Sequence, residues 1–342
     1  MKHQNISQTI AILFALTITA AACSNPLRKL EKENILKRMV SLNSFSGTYV
    51  ETGVAKTPQE TRILARRYPA AIFAQVTSAG PAKGSVLHYS GGSLSLYFPK
   101  TKFGIRYRHV PELSDAQQIA WIEQEYDWHL KNYDIALLED QAVAGFVTKN
   151  IVYSPNEIFT KSQFSFQWQA FVEPEYAFAV KMRMVRDGNE KYQIEFKNVE
   201  FQKQFTEKEL SFRFPAGATV AEYDMNGHNY SLKEANAASN FKMQLPQTSE
   251  DFPSKKIIRV QGIIPAYTAY FESLPYQTYY TQVKDYGLNL IPQRGIELNG
   301  KRKYRINFAG AFRSVYFLEK GVYHTVVSSR PLSELLSWLE GN

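Results

Sequence analysis

The chain has 342 residues, 44% of them hydrophobic and 14% aromatic, with 21 Tyr, 22 Phe and a formal net charge of +8. That length supplies one large or two ordinary domains, and so many aromatic residues favour pleated, half-buried surfaces. A single cysteine excludes an internal disulfide and a four-cysteine zinc site by arithmetic. The positive surplus suits anionic headgroups, nucleic acid or a merely well-solvated surface, and alone selects none of these.

Residues 1–22 read as a secretory signal. Lys2 gives the positive start, Ile10 to Ile18 the apolar core, and Ala20, Ala21 and Ala22 the small residues a peptidase requires. The apolar run is too short to span a bilayer. Cys23 follows directly, in TAAACSN. This resembles a bacterial lipobox, with Ala20 standing where leucine is more usual; an ordinary signal with an incidental cysteine is the alternative. The resemblance implies diacylation of the Cys23 thiol and acylation of the freed amine, a stable anchor because several chains hold where one binds marginally. Ser24 in place of Asp then implies an outer-membrane destination facing the periplasm. Such an anchor leaves no thiol for catalysis, and export makes nucleic acid a poor partner.

Residues 23–34 read as a polar tether. Leu30, Ile35, Leu36, Met39, Val40 and Leu42 recur at helical spacing to about residue 43, a face expected to pack on a sheet. From Phe45 the period becomes two. The stretch 45–110 reads as an antiparallel meander, broken at Pro69 and turned at Gly91-Gly92. Residues 113–142 change to helical spacing, through Ile119, Ile122, Tyr126, Leu130 and Tyr133, with Ser114 or Asp115 as cap. Strands resume after it, with a hairpin turn at Asp187-Gly188-Asn189 and strict alternation through Tyr192, Ile194 and Phe196. LSFRFPAGATV closes this domain, 35–225. Residues 226–256 are turn-rich and read as a linker or surface excursion. A smaller α+β unit, 257–342, follows. Its strand candidates include LNLIP, and its last helix, PLSELLSWLEG, buries Leu332, Leu335, Leu336 and Leu339.

The order of these elements resembles the LolA/LolB-type fold of bacterial envelope proteins and, in its two-domain layout, the periplasmic RseB/MucB regulators. The resemblance rests on FSGTYVE, ARRYP, the hairpin GSVLHYSGGSLSLYFP, YDIALLEDQAVAGFVTKNIVYSP, QWQAFVEPEYAFAVKMRM and FKNVEF…LSFRFPAGATV, with a weaker likeness in FLEKGVYHTVVSSRPLSELLSWL. It covers about residues 35–225, and 257–342 more faintly. It implies an α+β fold: a strongly curved antiparallel half-barrel whose concave side is covered by helices, then a smaller α+β domain. In such a shape, apolar side chains on one strand face line a cavity. The expected lining is Tyr49, Ile72, Phe73, Leu87, Tyr97, Phe166, Trp168, Phe171, Met182, Met184 and Phe196. Adaptable methionines among aromatics suit a flexible acyl chain, although each residue alone fits an ordinary core.

No catalytic constellation emerges: HExxH, GxSxG, P-loop and GxGxxG patterns are all missing, and no cofactor is implied. His88, His109, His129, His228 and His324 are scattered. Glu125 and His129 would share a helix face, but no third metal ligand accompanies them. Arg66, Arg67, Lys100, Lys102, Arg106 and Arg108 are expected to form one basic face on neighbouring strands, fit for phosphate or carboxylate headgroups or simply for guarding strand edges. The expected function is a non-catalytic, lipid-anchored outer-membrane protein that receives acyl chains or lipidated proteins. The alternative is an RseB-like regulator that holds an anti-sigma factor and senses envelope stress.

Overall fold

The computed structural model describes residues 34–342 except 36, 40, 54–56, 81, 111–118, 120–122, 124–126, 128, 157–165, 187, 225, 227, 240, 247–253, 261–265, 274–275, 286–295, 310–311 and 342. The signal, Cys23, the tether and LNLIP therefore lie outside the described residues. Among the described residues there are two open sheets, one of twelve strands and one of seven.

The first sheet is built by alternation. β1 (Ser44–Thr52), β2 (Gln59–Arg66), β3 (Ala71–Val76), β4 (Val86–Ser90), β5 (Ser93–Phe98) and β6 (Phe103–Arg108) form the expected meander. The β4–β5 turn uses Gly91 and Gly92, both at positive φ, where a side chain would be strained. β7 (Tyr133–Val143), β8 (Phe146–Pro155), β9 (Gln167–Glu173), β10 (Phe178–Arg186) and β11 (Asn189–Phe201) pair antiparallel in sequence, and β11 returns to lie beside β1. β12 (Thr219–Asp224) joins the far edge, parallel to β6. The sheet is thus antiparallel throughout except at this edge.

Curvature follows from ring contacts across strands that are not neighbours. Phe146 of β8 and Phe201 of β11 have centroids 5.4 Å apart. Three strand spacings on a flat sheet would separate them by about 14 Å. A helical segment within 34–41 sets Ile35 and Met39 against the core, as does Leu42 just after it; Arg38 holds the β9–β10 turn by donating to the Pro174 carbonyl.

The helix expected over 113–142 ends earlier. Residues 129–132 are helical, but β7 begins at Tyr133 and pairs with β8 across a tight turn at Ala144-Gly145, both at positive φ. Tyr133 and Ile135 fit a strand's period as well as a helix's, and tertiary pairing decides. LSFRFPAGATV is also not one strand. Residues 202–218 form an irregular strap, and only its end enters β12.

The second sheet contains β13 (Ser254–Val260), β14 (Ala266–Ser273), β15 (Tyr276–Lys284), β16 (Ile296–Asn299), β17 (Lys303–Ala309), β18 (Phe312–Glu319) and β19 (Val322–Ser328). Their order is β13-β14-β15-β19-β18-β17-β16. The segment expected as a linker docks on it. It carries α1 (Leu232–Ala238), started by a capping box of Ser231 and Glu234. Tyr230 donates its backbone N–H to Ile257, and Gln244 exchanges hydrogen bonds with Gln282. The closing helix, α2 (Leu332–Glu340), buries the four predicted leucines and also Trp338.

Candidate functional site

The register puts seven of the eleven lining candidates on one face. Tyr49 stands opposite Thr61 and Phe196, Ile72 opposite Ala65 and Tyr89, and Leu87 opposite Ala74 and Leu96. Met182 faces Ala170 and Ile194, while Met184 faces Trp168 and Tyr192. A bulge at Thr48/Tyr49 brings Phe196, not Lys197, opposite Tyr49, and the two rings meet at 5.5 Å. Phe45, Phe178, Ile151, Tyr153 and Tyr192 belong to the same core. Their alternation with the chosen residues could have identified them.

Most of this face is closed: Tyr49, Ile72, Leu87, Met184 and Phe196 are buried. Trp168 and Met182 are not. They sit on adjacent strands of the inner face, half-buried, beside the buried Ala170, Met184 and Ile194. At one end of the face, Glu51 is buried beside Tyr49 and Tyr192. Burial first, then the Glu51 carboxylate, pushes the Tyr192 phenol well up, so it stays a neutral hydrogen-bond donor to Glu51.

Three candidates lie on the opposite face. Phe73 follows Ile72, Tyr97 follows Leu96 and Phe171 follows Ala170; successive strand residues point to opposite sides, so neither member of such a pair can join the other's face. Phe73 packs with Leu64, Ala71, Phe205 and Leu210. Tyr97 meets Phe212 and Phe214 at 6.1 and 6.2 Å. Phe171 lies beneath Lys181 and Arg183, at 5.6 and 5.9 Å. Phe166 is buried just before β9, with the Arg186 guanidinium 5.4 Å from its ring centre.

The outer face of β2–β6 is thus covered by the strap. Phe214 fits because position 104 is glycine: a Cβ there would come within 2.3 Å of the ring. His88 Nε2 lies 2.8 Å from the Leu210 carbonyl, and burial holds its pKa below the ordinary value, so the neutral ring donates.

The basic residues do not share neighbouring strands. β3, β4 and β5 separate Arg66 on β2 from Arg106 and Arg108 on β6. Arg66 pairs with Glu207 of the strap at 2.6 Å, and Arg106 and Arg108 both grip Glu222 of β12. Arg67 lies over the Tyr68 ring at 5.1 Å, and Lys100 and Lys102 flank the tight turn after β5. Arg66, Arg106 and Arg108 thus fasten strap and edge strand, an arrangement that sequence separation of more than a hundred residues conceals. His109 likewise meets Asp224 at 2.7 Å and lowers that carboxyl's pKa. His129 stacks on Tyr133 at 5.4 Å, while Glu125 lies outside the described residues. No group of three potential metal ligands occurs among the described residues.

No protein-family model and no curated protein matches the sequence. Solved structures do. A crystal structure of MucB is 12% identical, covering 93% of this chain and 96% of its own, with a TM-score of 0.49. The Pseudomonas aeruginosa MucA/MucB complex gives 14% identity, 90% and 96% coverage, and a TM-score of 0.46. The LolA superfamily protein NE2245 from Nitrosomonas europaea gives 10%, 92% and 97%, with a TM-score of 0.19. The chain is similar to MucB and LolA-superfamily proteins, the groups that the order of its sequence elements resembles.

Proposed function

We propose that this is a non-catalytic, outer-membrane lipoprotein, anchored through Cys23 and facing the periplasm, that receives acyl chains or lipidated proteins against the inner face of its twelve-stranded sheet. The observation that carries this reading is the half-buried pair Trp168 and Met182 beside the buried Ala170, Met184 and Ile194 of the same face. A flat aromatic ring and a flexible thioether offer apolar area to a guest without fixing its shape. Phe166, just before β9, borders the same strand end. The ligand is chosen by burial alone, so chain length and headgroup are read loosely.

The mature protein, purified in a mild detergent and exchanged for native mass spectrometry, should retain lipid. It should also bind a fluorescent fatty acid saturably, and Trp168→Ala with Met182→Ala should weaken that binding about tenfold, roughly 1.4 kcal/mol. An empty wild-type protein with no saturable binding overturns the reading. The RseB-like alternative is favoured by one feature, the second sheet and its docked helices, which a simple acyl-chain receiver does not need. Crosslinking to an anti-sigma factor at the inner membrane would select it.

A further inference from the structure

We propose that β7 is a docking edge for an extended, positively charged segment of another protein, which adds to the sheet as a further strand. β7 ends the twelve-stranded sheet and, among the described residues, pairs with β8 alone. Eight of its eleven residues are exposed. Leu137 and Leu138 are 60% and 47% exposed, and further along the pair Val147 of β8, opposite Ala142, is 68% exposed. Leu137 and Leu138 are consecutive, so one apolar side chain stands out on each face of the same edge.

Sheet edges are normally guarded by shortness, lysine, proline, bulges or a cover. The other end of this sheet obeys that rule: β12 has six residues, and its Glu222 is clamped by two arginines. β7 has neither lysine nor arginine nor proline. Its bulge comes late, after Leu138, so Tyr133–Leu138 keeps an unbroken register. That leaves six residues of regular edge with a protruding leucine on either side at its end.

Charge selects the occupant. The strand carries Asp134, Glu139 and Asp140 and no cation, in a chain of net charge +8. Among the described residues, Lys149 pairs with Asp140, at 2.6 Å. A second copy pairing edge to edge would set two acid-only strands together, which opposes that dimer. A segment with apolar residues flanked by Lys or Arg covers the leucines and meets the carboxylates, while main-chain hydrogen bonds supply affinity.

The test uses the full mature chain and a short labelled peptide alternating valine with lysine. Anisotropy should report binding that weakens several-fold as salt rises, and amide exchange should slow at 133–138. The same peptide with glutamate for lysine, or with central prolines that cannot donate, should fail. Leu137→Lys with Leu138→Lys leaves the core untouched, removes the apolar area and repels a cationic segment, and should weaken binding at least about tenfold. Equal binding of the glutamate peptide, protection elsewhere in the chain, or a dimer that protects β7 without peptide each overturns the proposal. Fatty-acid binding at Trp168 and Met182 is read separately, so either result stands without the other.

Discussion

The two sheets bury their apolar faces in different ways. On the second, α2 fits like a keel: Leu335 and Leu336 are fully buried against a floor of Ile306, Val315 and Val326, and Trp338 stands edge-on to Phe271 and Tyr280 at 5.0 and 6.1 Å. On the first, the N-terminal helical segment contributes Ile35, Met39 and Leu42, while Tyr89, Leu94, Ile105, Trp168 and Met182 stay only partly buried. One sheet is finished by its own helix; the other keeps apolar area in reserve. That contrast separates a closed core from a face left partly open, and it is open to direct attack.

The largest expected effect lies in the finished core. Leu336→Ala removes a fully buried side chain where close packing limits collapse, and should cost about 2–5 kcal/mol in urea unfolding. Trp168→Ala, at a half-buried position, should cost clearly less. If the two losses are equal, the inner face of the first sheet is packed as tightly as the second, and the contrast fails.

Next comes pH. His324 lies parallel to Phe317, centroids 4.4 Å apart, with the Tyr280 hydroxyl 2.7 Å from its Nδ1. Burial lowers its pKa to about 4; Arg302 works in the same direction, and Glu319 opposes both. In the unfolded chain the value returns to about 6.5. Between these limits the unfolded chain takes up a proton that the folded chain refuses. The stabilising contribution is therefore complete above pH 6.5 and disappears as pH falls toward 4, about 3 kcal/mol in all. Urea midpoints measured across this window should fall, and His324→Phe should flatten that slope. An unchanged slope in the variant assigns the effect to other groups.

The sequence made some of this legible and hid the rest for physical reasons. Alternation and Gly-rich turns located most strands, because period-two burial is local. The leucines of α2 were readable because a helix buries one stripe. β7 was misread because Tyr133, which ends the helical series, also fits a strand's period with Ile135. Its partner is β8, and only pairing across the Ala144-Gly145 turn resolves the ambiguity. Phe73, Tyr97 and Phe171 were placed inside by hydrophobicity alone, against the parity of their neighbours. The strap was invisible as such: Phe212 and Phe214 alternate like strand residues, yet they cover the outer face instead of pairing along an edge. Arg66, Arg106 and Arg108 looked like a docking face because their carboxylates lie more than a hundred residues away.

The strap supplies a smaller test, on the outer side of the first sheet. Gly104→Ala would place a methyl group 2.3 Å from Phe214, closer than any real contact, so ring or backbone must move. Overpacking of this kind costs roughly 1–3 kcal/mol. Phe214→Ala should absorb most of that loss when the two are combined, giving a non-additive cycle. Additive losses would mean that the strap does not rest on β6. Fatty-acid binding should survive both changes, since the inner face is untouched.

The smallest effect lies at the join to the second sheet. Ser231 Oγ accepts from the Glu234 N–H at 3.2 Å, and Glu234 Oε2 accepts from the Ser231 N–H at 2.7 Å. The second bond holds the Glu234 carboxyl below its usual range. Ser231→Ala removes half of this capping box and should cost about 1 kcal/mol. Ala235 of α1 is fully buried, so the helix is part of the second core and not a passive connector. Amide exchange should therefore rise through 232–238 and in β13 beside it, and not in β1–β12. Faster exchange confined to the helix would show that it rides on the sheet without bracing it, leaving α2 alone to finish that core.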